Sequence, residues 1–143
     1  MKPRKRLLSL LVLSLALTFC VRCSASGSLG LEPAPERVVQ QWFEAVGEFD
    51  VPRMHELTHP AKRADLELAL ENPLVTVGAA LGLTKQDFFE MSYIVASNDG
   101  EAAEVRATGK VTNRLGWIDD VDEVIELRKL DSQWYIWFAE EDL

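Results

Sequence analysis

Residues 121–138, V-D-E-V-I-E-L-R-K-L-D-S-Q-W-Y-I-W-F, limit the fold more than any other stretch of the chain. Two runs of apolar and β-branched residues flank Asp131-Ser132, so the stretch reads as two antiparallel strands joined by a tight turn. Both strands carry apolar side chains on both faces: Val124 opposes Ile125, and Tyr135 and Trp137 oppose Trp134 and Ile136. Strands of that kind are partly covered on both sides, and a lone hairpin is marginal in water. The rest of the chain must therefore cover it. One face is expected to meet helices. The other, bearing Tyr135 and Trp137, is expected to be an apolar patch that serves as an interface or lies under a lid.

The preceding segments offer helices first and strands after. Pro35-Glu36 opens an amphipathic helix in which Val38, Val39, Trp42, Ala45, Val46 and Phe49 recur at three- and four-residue steps, with Glu36, Arg37, Gln40, Gln41, Glu44 and Glu48 on the other side. Gly47 weakens its last turn. Asp50 caps a second, short helix that tolerates Pro52 in its first turn, turns Met54 and Leu57 inward and ends at Pro60. A third helical piece starts near Ala61 and stops at Asn72-Pro73. Residues 74–83 read as a buried helical turn or a short strand, with helix preferred. From Asp87 the period becomes two: Phe89, Met91, Tyr93 and Val95 alternate with Glu90, Ser92, Ile94 and Ala96. Asn98-Asp99-Gly100 suits a type I′ hairpin turn. The next strand puts Ala103, Val105, Ala107, Gly109 and Val111 on one face and Glu104, Arg106, Thr108, Lys110 and Thr112 on a wet one, and residues 113–120 connect it to the final hairpin. The order implies an α+β fold, a roll with N-terminal helices packed on a curved antiparallel sheet of about four strands.

That domain does not begin at Met1. Lys2, Arg4, Lys5 and Arg6 precede a nearly unbroken apolar run over residues 7–21, the charged and apolar regions of an export signal. The expected organisation is a signal over residues 1–25, a flexible tether over 26–35 and the folded domain over 36–143. A product beginning at Ser26 keeps ten basic residues against all 23 acids, a formal −13. Nucleic acid is an unsuitable partner for such a surface, and an anionic lipid surface no better. Cys20 and Cys23 both fall at the end of the signal, so the exported domain is expected to hold together by packing without a disulfide. Cleavage after Ala25 and lipidation at Cys20 or Cys23 are competing outcomes. Leu17-Thr18-Phe19-Cys20 matches a lipobox at Leu17 and departs from it at Phe19, and the small-residue tether suits an anchored domain. An uncleaved signal is a third route to membrane attachment.

The opening helix V-V-Q-Q-W-F-E-A-V, the short F-D-V-P-R-M helix and the closing L-R-K-L-D-S-Q-W-Y-I-W-F resemble exported, often lipid-anchored bacterial members of the nuclear transport factor 2-like (cystatin-like) superfamily, over residues 35–138. Ser132 departs from the glycine common at that turn and leaves the turn type open. The resemblance implies a cone-shaped cavity between sheet and helices. Such a cavity holds an apolar ligand or, in ketosteroid isomerase-like and SnoaL-like enzymes, a carboxylate and a Tyr or His that move protons beside a carbonyl. Trp42, Tyr93, Trp117 and Trp134 are the candidate lining residues, with core packing as their competing role. Glu90 and Glu123 are the nearest acids, and both alternate with apolar residues as solvent-face charges do.

One short motif suggests other chemistry. His55-Glu56-Leu57-Thr58-His59 matches HExxH, in which two His one helical turn apart bind zinc and the Glu activates water, and Asp65 stands where a third ligand sometimes follows. Pro60 truncates the helix that would have to carry both ligands, Lys62 replaces the turn glycine of the longer motif, and no sheet precedes it to build a cleft. The acidic run over residues 119–123 lacks the spacing of a calcium loop. The expected function is a non-catalytic exported domain at the cell envelope that binds a small apolar ligand or a protein partner, without cofactor or metal, with a homodimer through the sheet as one form of partner. The alternatives are an isomerase-like or SnoaL-like enzyme, and a zinc hydrolase through His55, His59 and Asp65.

Overall fold

The computed structural model describes residues 32–138. The expected export signal, Cys20, Cys23, most of the expected tether and the acidic tail Glu140-Glu141-Asp142 lie outside the described residues. Within them run helices α1 (Pro35–Glu48), α2 (Val51–Leu57), a 3-10 turn (Pro60–Lys62), α3 (Arg63–Leu70) and α4 (Pro73–Ala80), then strands β1 (Gln86–Asn98), β2 (Ala102–Asn113), β3 (Ile118–Leu130) and β4 (Gln133–Trp137). The strands form one antiparallel sheet in the order β1-β2-β3-β4, open at both edges. This is the α+β class that the helix-then-strand order implies.

The core is made where α1 and α2 lie on one face of the sheet. Val38, Val39, Trp42, Phe43 and Ala45 of α1, with Met54 and Leu57 of α2, are buried against Ala103, Val105 and Ala107 of β2, Leu127 of β3, and Trp134 and Ile136 of β4. The small residues of β2 let the helix come close. Asp50 caps α2 by accepting a hydrogen bond from the Arg53 amide at 3.1 Å, and Pro52 sits in the first turn where no intrahelical donor is needed. After Leu57 the chain becomes extended: Thr58 bridges to Ile136, and the His59 amide donates to the Ile136 carbonyl at 2.9 Å. The short segment thereby covers part of the free edge of β4.

Several expectations are corrected. The two hairpin turns exchange chemistry. At Asn98-Asp99-Gly100 the connection runs over three residues, with the Asp99 carboxylate accepting from the Glu101 and Ala102 amides at 2.9 and 2.7 Å. At the β3–β4 turn, Leu130 pairs with Gln133 and the two residues between, Asp131 and Ser132, have φ of +50° and +64°, the left-handed pair that a two-residue type I′ loop demands. Residues 74–83 give a helix, but α4 buries none of its residues. In β1 the register shifts between Phe89 and Ser92, so Phe88 turns inward where alternation places Phe89. The wet face of β2 carries the expected polar residues, with Arg106 bidentate on Asp122 at 2.7 Å, and its exposed aliphatic neighbours are Ile94 and Val124 in register on either side of Arg106. Tyr135 and Trp137 are half-buried and do not form an open apolar patch: the His59 ring lies 5.0 Å from that of Trp137, with Lys62 Nζ and the Arg128 guanidinium at 5.3 and 5.7 Å.

Candidate functional site

A cleft of about 460 Å³ opens between α1 and the free edge of β1. Two glycines in element interiors build it. A Cβ on Gly47 would stand 2.8 Å from the Gln86 carbonyl oxygen and 3.3 Å from Phe88, so only glycine lets the last turn of α1 reach the start of β1. Gly109 lies opposite Glu90 and Met91 in the bulge, where a Cβ would meet the Met91 side chain and stand 3.0 Å from Met91 Cα and 3.1 Å from the Glu90 carbonyl. The bulge holds Glu90 at φ +54° and resets the side-chain phase of β1. Phe88, Met91 and Tyr93 thereby share the helix-side face.

The floor is aromatic and apolar. Phe43 meets Phe88 edge to face at 5.0 Å and Tyr93 at 5.9 Å, with Met91 beside them. The rim is acidic: Glu44 and Glu48 from α1, Asp87 and Glu90 from β1. Two of these are paired, Glu48 with Lys85 at 3.2 Å and Glu90 with Lys110 at 3.2 Å. Glu44 accepts from Gln40 Nε2 at 2.9 Å, and among the described residues neither Glu44 nor Asp87 has a cationic partner. Burial, and then the Glu44 charge, push the Tyr93 phenol above its ordinary range. At neutral pH the phenol is therefore a hydrogen-bond donor and not a nucleophile or base. Chemically the cleft is a partly dry slot with an apolar floor and a carboxylate-lined edge.

The four aromatic residues expected to line a common cavity do not converge. Trp42 is buried and packs on Phe138 at 5.3 Å; Trp134 is buried under Lys129, whose Nζ stands 5.2 Å above the indole. Trp117 is exposed in the β2–β3 connection, and only Tyr93 lines the cleft. Glu123 pairs with Ala107 and so belongs to the helix-side face of the sheet, where it is nonetheless exposed. Sequence periodicity misses Phe43, Glu44, Phe88 and the two glycines. The available signal was glycine inside a helix and inside a strand, which marks close backbone approach.

The HExxH residues are pulled apart. Because α2 ends at Leu57, His55 and His59 are not presented by one helix. His55 Nε2 is 3.1 Å from Glu67, Glu56 pairs with Arg53 at 2.8 Å, and Asp65 pairs with Lys62 at 3.0 Å. His59 Nδ1 accepts from the Ala61 amide at 3.2 Å, and burial followed by the Arg63 charge lowers its pKa, so the ring is held neutral against Trp137. Among the described residues no group of three or more His, Cys, Asp or Glu side chains is placed to hold a metal ion.

The described residues define a small α+β domain with an open antiparallel meander and a helix-edge cleft. The same fold occurs in the solution structure of a SEC-C motif containing protein from Rhodopseudomonas palustris, which is similar with a TM-score of 0.54 and 21% identity over 72% of this chain and 74% of that one. No protein-family model matches the sequence, and no curated protein does.

Proposed function

We propose that the protein is a non-catalytic, exported binding domain of the nuclear transport factor 2-like kind, which holds at the cell envelope a small ligand with an apolar body and a cationic end. The observation that carries this reading is the α1–β1 cleft, with a floor of Phe43, Phe88, Met91 and Tyr93 under the carboxylates of Glu44 and Asp87, which have no cationic partner among the described residues. Its volume of about 460 Å³ suits a small molecule. An apolar floor supplies affinity in proportion to the area it removes from water, and a few polar groups at the edge fix orientation. The export reading rests on the basic start and the apolar run over residues 7–21.

An isomerase-like reading needs a carboxylate held in apolar surroundings as the base. Glu44 is the carboxylate nearest the Tyr93 phenol in effect, but it is exposed on α1 and hydrogen-bonded to Gln40. Native mass spectrometry of the full chain tests the binding reading. The expected result is a population heavier than the polypeptide, whose excess mass is released on denaturation and reduced in Glu44→Gln/Tyr93→Phe. Absence of any adduct, together with no response to a long-chain alkylammonium probe, would defeat it.

A further inference from the structure

The three rings on the cleft floor bear on what kind of cationic group the cleft suits. Phe43 comes from α1, and Phe88 and Tyr93 come from β1. Phe88 stands edge-on to Phe43, at 83° and 5.0 Å, and Tyr93 is tilted from Phe43 by 49° at 5.9 Å. The rings therefore lie in different planes and do not stack into one flat surface. Met91 adds a polarisable thioether beside them. Ring faces carry negative charge density, so rings set in several planes suit a rounded cation better than an extended apolar chain alone.

The same floor is poor in hydrogen-bond acceptors. A primary ammonium brings three N–H donors, and each needs an acceptor once water is displaced. Burial, and then the Glu44 charge, keep the Tyr93 phenol protonated, so it supplies no anion. The carboxylates stand at the exposed edge and are partly engaged: Glu44 accepts from Gln40 Nε2 at 2.9 Å, Glu48 pairs with Lys85 and Glu90 with Lys110, both at 3.2 Å. With both lysines counted against Glu44, Glu48, Asp87 and Glu90, the edge keeps a net two negative charges. A quaternary ammonium has no N–H to satisfy. Its charge is spread over methyl groups that are themselves apolar, so it can rest on the aromatic floor while the carboxylates act on it over a longer distance.

We infer that the cationic end of the ligand is a quaternary ammonium group, seated against Phe43, Phe88 and Tyr93 with the Glu44 and Asp87 carboxylates balancing its charge. The inference rests on the cleft being the ligand site and adds the class of head group that the site selects.

The test uses the full chain and three probes: hexanoylcholine, the neutral ester in which carbon replaces its quaternary nitrogen, and a primary alkylammonium of matched length. The Met91 methyl resonance, with Met54 of the core as control, gives a Kd for each. The choline ester is expected to bind about tenfold tighter than its neutral isostere, which has the same shape and lacks only the charge, and tighter than the primary ammonium. In Tyr93→Leu, which removes one ring and keeps an apolar side chain, the preference for the charged ester should fall to about threefold, and Tyr93→Phe should restore it. Equal binding of the two esters, tighter binding of the primary ammonium, or a preference that Tyr93→Leu leaves unchanged overturns the inference; the first two comparisons need no variant. If none of the three probes moves Met91, the small-ligand reading of the cleft fails as a whole. A primary ammonium that binds, while the two esters are not told apart, defeats only the quaternary head group. Glycerophosphocholine and phosphatidylcholine vesicles, added in turn as competitors, distinguish a free ligand from a lipid headgroup.

Discussion

Replacing Gly47 by alanine separates the geometry of the cleft from ordinary helix chemistry. In a helix interior, Gly→Ala stabilises by about 1 kcal/mol, because alanine loses less backbone freedom on folding. Gly47 does not have a left-handed backbone, so no conformational penalty offsets that gain. The new Cβ, however, would stand 2.8 Å from the Gln86 carbonyl oxygen and 3.3 Å from Phe88 Cδ2. The closest atom is strand backbone, which cannot rotate aside, and overpacking of this sort costs about 1–3 kcal/mol. The balance is a net destabilisation of about 1 kcal/mol, or roughly 4–8 °C in Tm for a domain of this size. Gly78 provides the control: in α4 a Cβ meets only Thr84 Cγ2 at 3.5 Å, ordinary contact distance, so Gly78→Ala should not lower the midpoint. Thermal and urea melts followed by circular dichroism read both. If Gly47→Ala stabilises as an exposed helical glycine would, α1 does not press on β1 and the account of the cleft is wrong.

Other outcomes follow from the same contacts. Ser132→Gly in the β3–β4 turn should raise stability by about 0.5–1 kcal/mol, because an L-residue at φ +64° pays a left-handed penalty that glycine avoids; a loss in urea melts would contradict the type I′ geometry. Leu127→Ala, in the fully buried centre of β3, should cost about 2–5 kcal/mol, while Leu74→Ala on exposed α4 should stay within about 0.5 kcal/mol. His59 titrates below its unfolded value of 6.5, so the unfolded chain binds more protons in the window just under that pH. Its contribution is complete above about pH 6.5 and is lost as pH falls through the lowered folded value. His59→Gln should flatten that part of the stability–pH profile, and an unchanged slope would show that another group is responsible.

The sequence made the sheet order and the core legible for a physical reason: strands β2 to β4 are buried on one side, so their alternation is imposed by water. Ala103, Val105 and Ala107 face inward as expected, as do Val38, Val39 and Trp42 on α1. Where burial is incomplete the pattern misleads. Alternation in β1 selects Phe89, but the bulge at Glu90-Met91 turns Phe88 inward, and this bulge packs so closely on β2 that Gly109 must stand opposite it. Residues 74–83 are apolar enough to read as buried, and α4 is nevertheless exposed; composition reports what a segment would bury, not whether a partner within the chain is present. HExxH fails in three dimensions for a local reason visible in part from Pro60, since the chain leaves the helix at Thr58 to pair with β4. The cleft was the least legible feature. Its residues come from α1 and β1, and their meeting depends on the close approach at Gly47 rather than on any motif.

The central claim is that the α1–β1 cleft is a binding site with an apolar floor and an acidic edge. Two methionines within the described residues report on it directly: Met91 on the cleft floor, and Met54 in the core. Methyl-labelled methionine NMR during titration with a long-chain alkylammonium ion should move the Met91 resonance in a saturable way and leave Met54 in place, with the Met91 shift weakened in Glu44→Gln. A Met91 resonance that does not move, or that moves only in step with Met54, would contradict the claim.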